Sequence, residues 1–362
     1  MDRRTFFQSA GAVVATGGTS ALAAPAIVQG FREFKMVTTW PRDFPGLGTG
    51  AQNVADMITR LSGGLMKIKL FAAGELVPAF EAFDAVARGD AQMYHGADYY
   101  WQERHKAYNF FTSVPMGMTA LELDAWIRFG GGQQLWDELS AQFGIKPFLA
   151  GNTGVQMGGW FQKPIKSLDD IKSLKMRIPG LGGEVVKRLG GEAVTLPGGE
   201  IPEALASGRI NAAEWVGPYN DRAFGLHKYL QHYMFPGFQE PGTGICLGLN
   251  RGFWQSLGDT DRAIFETAAT AANNLMLAEY NANNGDALAD LRLNEGVQLH
   301  IVPQDVWTEI AKTSREVIEE VGNTDDLGRR VLDSFKQFGD RVSEWQRVSD
   351  VSYVAYRAIT RS

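Results

Sequence analysis

The sequence predicts an α/β protein of two lobes that ends in a helical extension. Short β-like runs alternate with helical runs from residue 34 to about 216, one helix–glycine–strand pattern occurs twice, and residues 259–362 are mostly helical. The 362 residues, of which 44% are hydrophobic, are enough for two cores of roughly 150 residues each. A disordered chain is excluded because so much apolar surface must be buried.

Residues 1–24 have the features of an export signal. Arg3 and Arg4 precede an uncharged stretch rich in small residues, and the alanines at 21–24 offer a cleavage site. The paired arginines resemble a twin-arginine signal, although their neighbours depart from its usual pattern. Ordinary secretory export and an N-terminal membrane anchor are the alternatives. We expect an exported, periplasmic protein, because no later stretch is apolar enough to span a bilayer.

The spacing of apolar residues and the positions of glycine and proline assign the remaining elements in order. Strands are predicted at 34–40, 65–71, 145–151, 174–178, 192–196 and 210–216. Helices are predicted at 49–64, 77–90, 183–191, 201–208, 259–293, 303–321 and about 328–360. Strands that alternate with helices predict a mostly parallel sheet covered on both faces.

One pattern occurs twice, at residues 84–92 and 203–211. Each copy reads acid-Ala-aliphatic-Ala-x-Gly-x-aliphatic-amide, so a helix ends at a glycine suited to a left-handed cap and a strand begins. Two unrelated corners would explain this. The alternative is two lobes of similar topology, which would leave a ligand-binding cleft between them.

Motifs for catalysis are weak or missing in this sequence. The five histidines form no metal-binding pair on one helix face, and the single cysteine, Cys246, lies in an apolar run. Residues 46–51 match a dinucleotide-binding glycine pattern, but the next strand lacks the acid that would hold a ribose. The formal net charge of −6 and the absence of a basic run argue against nucleic-acid binding. We therefore expect no enzyme, and an exported nicotinamide-dependent oxidoreductase is the remote alternative.

Three segments place polar side chains where predicted strands end in glycine-rich corners. They are residues 151–162 with Asn152 and Gln156, residues 174–180 with Arg177, and residues 211–221 with Glu214 and Trp215. An arginine within a strand is either structurally paired or available to a ligand, and Glu214 alone could be a surface or salt-bridged acid. A guanidinium gives a carboxylate two parallel hydrogen bonds, so Arg177 is the candidate anchor for an organic anion.

These segments carry a specific family resemblance. GNTGVQMGGWF, LKMRIPG and AAEWVGPY, together with GELVP at 74–78 and PGFQE at 236–240, are similar to motifs of the TRAP solute receptors that bind α-keto acids. These receptors are periplasmic and serve tripartite ATP-independent transporters. The resemblance covers most of the chain. It implies two lobes joined by a long crossing helix, and delivery of the ligand to membrane permease subunits.

The resemblance also implies roles for individual residues. Arg177 would meet the substrate carboxylate, and a sodium or calcium ion would bridge substrate and protein. The implied cation ligands are Gln156, Glu214, the backbone carbonyl of Trp215, and Glu240. The implied substrate contacts are Gln156, Arg177, Trp215, Glu240, Tyr100, Tyr99 and Asn152. An anionic substrate beside Glu214 would be repelled without a cation, and oxygen ligands of this kind suit a hard cation.

We therefore expect a receptor for a small 2-oxo monocarboxylate such as pyruvate, with a 2-hydroxy acid such as lactate, bound with calcium, as the alternative. We assign residues 25–152 and about 239–275 to lobe I. Residues 153–238 and part of the C-terminal helices form lobe II, and the long helix and helical extension occupy about 259–362. The C-terminal helices are the candidate surface for a homodimer.

Overall fold

A computed structural model describes residues 30–360. The predicted export signal at residues 1–24 and its cleavage site lie outside the described residues. Among those described, no helix combines the length and the apolar character needed to cross a membrane.

The described residues form two β-sheets surrounded by helices. The strands are β1 (Arg32–Thr38), β2 (Met66–Phe71), β3 (Met93–Gly96), β4 (Ile145–Asn152), β5 (Gly159–Phe161), β6 (Lys175–Arg177), β7 (Glu192–Val194), β8 (Ala212–Ala213), β9 (His232–Phe235), β10 (Gly244–Asn250) and β11 (Gln298–Ile301). The helices are α1 (Leu47–Leu61), α2 (Ala82–Arg88), α3 (Tyr108–Thr112), α4 (Ala120–Phe129), α5 (Gly132–Ala141), α6 (Leu168–Lys172), α7 (Gly180–Arg188), α8 (Ile201–Ala206), α9 (Pro218–Phe224), α10 (Arg251–Ser256), α11 (Asp259–Leu293), α12 (Gln304–Gly322), α13 (Asp326–Val348) and α14 (Asp350–Ile359).

The two sheets share one topology. The first has the order β2-β1-β3-β10-β4 and the second β11-β9-β5-β8-β6-β7. In each, three consecutive strands joined by helices lie in the order second-first-third, and an antiparallel strand then enters beside the third. The repeated sequence pattern lies at equivalent corners, α2 to β3 and α8 to β8, where Gly89 and Gly208 have φ of 89° and 70°. The repeat therefore marks two lobes of similar topology.

Each sheet is mostly parallel, as predicted, but contains one antiparallel strand. β10 is antiparallel to both β3 and β4, and β5 is antiparallel to both β8 and β9. The reason is topological. The chain enters β10 directly from β9 of the second sheet, and it enters β5 directly from β4 of the first sheet, without a crossover helix in between. Two elements differ from their predicted bounds. The strand predicted at 210–216 is shorter in the structure, at Ala212–Ala213, and the helix predicted at 328–360 is divided into α13 and α14.

The 35-residue helix α11 is the long helix expected from the sequence. It packs against β4, α1 and α9. A Cβ atom at Gly46 would lie 2.5 Å from the Tyr280 ring, and one at Gly50 would lie 2.3 Å from Met276. These glycines of the dinucleotide-like pattern therefore serve the close packing of α1 on α11.

A buried carboxylate lies just after β3, in the turn that follows this strand. Asp98 is 1% exposed and accepts hydrogen bonds from the Tyr94 hydroxyl (2.8 Å) and the Trp136 indole (2.9 Å). Burial raises the pKa of Asp98 from 3.8 to about 7, and its hydrogen bonds offset only part of this effect.

We expect Asp98→Asn to change how stability depends on pH. A folded-state pKa above the unfolded value stabilises the protein at low pH, and this stabilisation is lost as pH rises from about 4 to about 7. The variant cannot ionise, so its unfolding free energy relative to wild type should increase between pH 5 and pH 8. Urea unfolding of both proteins at each pH measures this difference. A constant difference would show that Asp98 does not titrate in this range.

Candidate functional site

Two chain segments that run between the sheets pair with each other and form the base of the candidate site. One joins β4 to β5 and the other joins β9 to β10. Backbone hydrogen bonds connect them from the Thr153 amide to the Thr243 carbonyl (3.2 Å) and from the Gln156 amide to the Glu240 carbonyl (3.0 Å). Two of the predicted site residues, Gln156 and Glu240, are therefore adjacent although 84 positions separate them.

Arg177 is the last residue of β6 and is 1% exposed. In the parallel pairing of β6 with β8 it lies opposite Ala213, and its carbonyl accepts a hydrogen bond from the Glu214 amide (3.1 Å). The strand register thus places Glu214 beside Arg177. The guanidinium forms an ion pair with the Glu214 carboxylate and donates to the Glu214 carbonyl (3.0 Å) and the Leu196 carbonyl (3.1 Å).

Both charged side chains of this pair are buried. Glu214 is 1% exposed, and burial raises its pKa well above the usual range, while the neighbouring Arg177 charge opposes that rise. The Arg177 guanidinium carbon also lies 5.0 Å from the centre of the Trp215 ring, a cation–π distance. Arg177 is the one buried lysine or arginine among residues 30–360. Arg177 is therefore structurally paired, and its availability to a ligand stays a prediction.

Gln156 and Glu240 form a second polar group. The Gln156 amide nitrogen lies within hydrogen-bond distance of Glu240 (2.9 Å), Thr243 (3.1 Å) and Thr153 (3.1 Å). The Thr243 hydroxyl donates to the same Glu240 oxygen. Burial raises the pKa of Glu240 to about 7, against the opposing effects of the Thr243 hydrogen bond and the Arg177 charge. The two carboxylates, Glu214 and Glu240, share one buried cationic side chain.

Several buried polar atoms of these residues lack a hydrogen-bond partner within the described chain. Two are acceptors, Gln156 Oε1 and Glu214 Oε2, and two are donors, Asn152 Nδ2 and Trp215 Nε1. Orphaned buried polar atoms are costly unless a ligand completes them. Uncharged and anionic oxygens suit a hard cation, whereas N–H groups suit a carboxylate. The donor set therefore fits a cation and an organic anion bound together.

Aromatic rings close the site from the first sheet. Tyr99 and Tyr100 lie in a short 3-10 turn after β3, and the Tyr100 hydroxyl accepts a hydrogen bond from Arg177 (3.3 Å). Trp40, which follows β1, lies 6.3 Å from the Tyr100 ring and 6.2 Å from the Trp215 ring. Trp40 lies outside the set of site residues predicted from the sequence. Its position after a strand that neighbours β3 could have indicated it, because ligand sites form at the carboxyl ends of such strands.

The structure thus brings most of the predicted site residues together. One group is formed by Arg177, Glu214, Trp215 and Tyr100. A second group beside it is formed by Gln156 and Glu240. Asn152 is the last residue of β4, where the connecting segment starts, and it accepts a hydrogen bond from the Gly154 amide (2.8 Å). No group of three or more His, Cys, Asp and Glu side chains suited to a metal occurs in residues 30–360. A cation here would need the mixed set of amide, carboxylate and backbone oxygens.

Sequence comparison gives two findings. Residues 36–325 match the model of the bacterial extracellular solute-binding proteins, family 7. The chain is 43% identical over 320 residues to a monocarboxylate 2-oxoacid-binding periplasmic protein of Nostoc sp., covering 88% of this chain and 87% of that protein.

Comparison with solved structures agrees. A TRAP transporter solute-binding protein of Bordetella bronchiseptica, solved as a dimer with calcium and picolinate in one active site, is 33% identical with a TM-score of 0.89 over 92% of this chain and 99% of that one. A TRAP periplasmic protein of Pseudoalteromonas atlantica, with bound sodium and pyruvate, is 36% identical with a TM-score of 0.87 over 90% and 99%. These findings confirm the predicted periplasmic location, and the chain belongs to family 7 of the bacterial extracellular solute-binding proteins, as a solute receptor of a TRAP transporter.

Proposed function

We propose that this receptor binds a small 2-oxo monocarboxylate, such as pyruvate, together with a bridging cation, and delivers it to the membrane permease without breaking a bond. The observation that carries the proposal is the buried Arg177–Glu214 pair with its unpartnered neighbouring oxygens. The carboxylate would bind Arg177, and the cation would bind Gln156, Glu214, the Trp215 carbonyl and Glu240. The solved relative with sodium and pyruvate supports this combination.

The charge of the site favours a monocarboxylate. Four cations elsewhere in the sequence could have supplied a second anchor, but all four side chains are exposed: Lys35, Arg42, Lys163 and Arg222. Two of them already form surface ion pairs, Arg42 with Glu75 and Arg222 with Asp290. A second substrate carboxylate would lie buried without a partner, which costs several kcal/mol, on the order of the penalty for an unpaired buried charge.

The donor atoms of the ligand explain why a cation would bind with it in this site. Pyruvate and picolinate, the ligands of the two solved relatives, are both monocarboxylates with a second donor atom next to the carboxylate. Such a pair of donors can chelate a hard cation in a five-membered ring. The cation would also screen the ligand from Glu214 and Glu240. A 2-hydroxy acid such as lactate offers a similar chelate and is the second candidate.

We expect pyruvate and 2-oxobutyrate to bind well, and succinate and 2-oxoglutarate poorly, because the site has one anchor for a carboxylate. Isothermal titration calorimetry of these acids and of lactate, at one fixed sodium and calcium concentration, tests the order. A dicarboxylate that binds more tightly than every monocarboxylate would overturn the single-anchor site. Lactate as the tightest ligand would favour the second candidate.

Arg177→Met should weaken pyruvate binding by about 2–5 kcal/mol, or roughly 30-fold or more, because the desolvated carboxylate loses its charge partner. The matched control is Arg42→Met, which removes an exposed arginine that also pairs with a glutamate. Calorimetry on folded samples of both variants measures the effect. A folded Arg177→Met protein with affinity within threefold of wild type would place the anchor elsewhere.

Removal of sodium and divalent cations should abolish or strongly weaken ligand binding. Glu214→Gln should do the same at low cation concentration, because the cation then loses one formal negative charge among its ligands. Titrations in a chelator-treated, sodium-free buffer, followed by stepwise addition of sodium or calcium, check this expectation. Unchanged affinity in the cation-free buffer would refute the bridging cation while leaving the receptor assignment intact.

We also propose that the C-terminal helices mediate a homodimer. No residue of α14 is buried in the single chain, and its apolar side chains are largely exposed: Val351, Tyr353, Val354, Tyr356 and Ile359. Trp345 and Val348 extend the same exposed apolar surface onto α13. An unpaired apolar surface of this kind is typical of a protein interface, and the Bordetella relative was solved as a dimer.

Truncation after Val348 should convert a dimer to a monomer, because it removes the exposed apolar helix α14. Light scattering after size-exclusion chromatography measures the mass. Leu293→Glu, which changes an 81% exposed residue at the end of α11, is the control and should leave the mass unchanged. A truncated protein that keeps the dimer mass would locate the interface elsewhere.

A further inference from the structure

Asp221 is a buried carboxylate that the proposed function does not use directly. It lies in α9, is 1% exposed, and accepts four hydrogen bonds. One oxygen receives the Trp160 indole (2.8 Å) and the Tyr233 hydroxyl (2.6 Å). The other receives the backbone amides of Val216 and Gly217, both at 3.1 Å. Both oxygens are therefore held as acceptors.

The two backbone contacts connect Asp221 to the candidate cation site. The amide N–H of Val216 belongs to the same peptide unit as the carbonyl of Trp215. Because that unit is planar and trans, the carbonyl points away from its own N–H. Fixing the Val216 N–H on Asp221 therefore fixes the direction of the Trp215 carbonyl oxygen. A hydrogen bond from the N–H to a carboxylate also increases the negative charge on the carbonyl oxygen.

The opposite half of the cluster is held by ring packing and strand pairing. The Trp160 and Tyr233 rings stack with centres 3.9 Å apart and planes 19° apart, on the neighbouring strands β5 and β9. These donors hold one Asp221 oxygen against the second sheet, so the other oxygen is presented to the Val216–Gly217 backbone at a fixed place.

We infer that Asp221 is a positioning residue for the bridging cation: it aims and polarises the Trp215 carbonyl without touching cation or ligand. This inference rests on the proposed function, because it assumes that the Trp215 carbonyl is a cation ligand. Partners that orient metal ligands in this way are typically worth 10–100-fold in metal affinity.

The experiment compares Asp221→Asn with Tyr233→Phe. The asparagine variant places an amide NH₂ group among four donors, so at least one contact is lost. The phenylalanine variant removes a donor from the same cluster but leaves both backbone contacts to Asp221. For each protein, the calcium or sodium concentration that half-saturates pyruvate binding, the pyruvate affinity at saturating cation, and the ligand-free unfolding free energy are measured.

We expect Asp221→Asn to raise the half-saturating cation concentration by about tenfold or more, with a smaller change in pyruvate affinity at saturating cation. Tyr233→Phe should lower stability and shift the cation concentration much less than Asp221→Asn does. Asp221→Glu, which keeps the charge but displaces the carboxylate by one methylene, should shift the cation concentration in the same direction and replaces the asparagine variant if that one does not fold.

Equal cation shifts in the Asp221 variants and Tyr233→Phe would overturn the inference, since Asp221 would then act only through stability. If wild type binds pyruvate equally well without a cation, the proposed cation bridge itself fails, and the inference fails with it. A cation-dependent wild type with unaffected Asp221 variants would refute the inference alone.

Discussion

The buried ion pair of Arg177 and Glu214 is the interaction on which the site depends. Burying either charge alone would cost several kcal/mol, and removing one partner of such a pair typically costs about 3–5 kcal/mol. The parallel register of β6 and β8 avoids this cost, because both strands end at the same edge of the sheet and the two side chains are adjacent there. Among the described residues, the same pair leaves one Glu214 oxygen without a hydrogen-bond partner, and this is the oxygen that we propose as a cation ligand.

The duplicated sheet topology explains why polar residues converge on one place. Polar or aromatic side chains lie where the parallel strands of each sheet end. They are Trp40 and Tyr100 in the first sheet, and Arg177 and Glu214 in the second. The paired segments between the sheets add Gln156 and Glu240 from the side. Elements from both lobes thus contribute to one site, and changes in the angle between the lobes would alter its geometry.

The sequence predicted the local features of this protein better than its long-range contacts. Arg177 and Gln156 could be identified because a polar residue interrupts an apolar run, and α11 because its helical pattern is long and uninterrupted. The antiparallel entry of β10 and β5 could not, since it depends on which sheet a strand joins. Asp221 was missed because an aspartate three residues beyond a Gly-Pro corner resembles an ordinary helix-start residue until its four buried donors are known.

Helix α11 limits how the two lobes can move. At 1.5 Å per residue its 35 residues extend for about 50 Å. It packs on β4 and α1 around Met276, in its middle, and on α9 from Tyr280 to Asp290. A single long helix that packs on both lobes restricts how they can move relative to each other. Opening therefore has to proceed by sliding of side chains along the helix surface or by gentle bending of the helix. Such shear-type motion favours small, graded changes in lobe angle over a wide swing about one flexible joint.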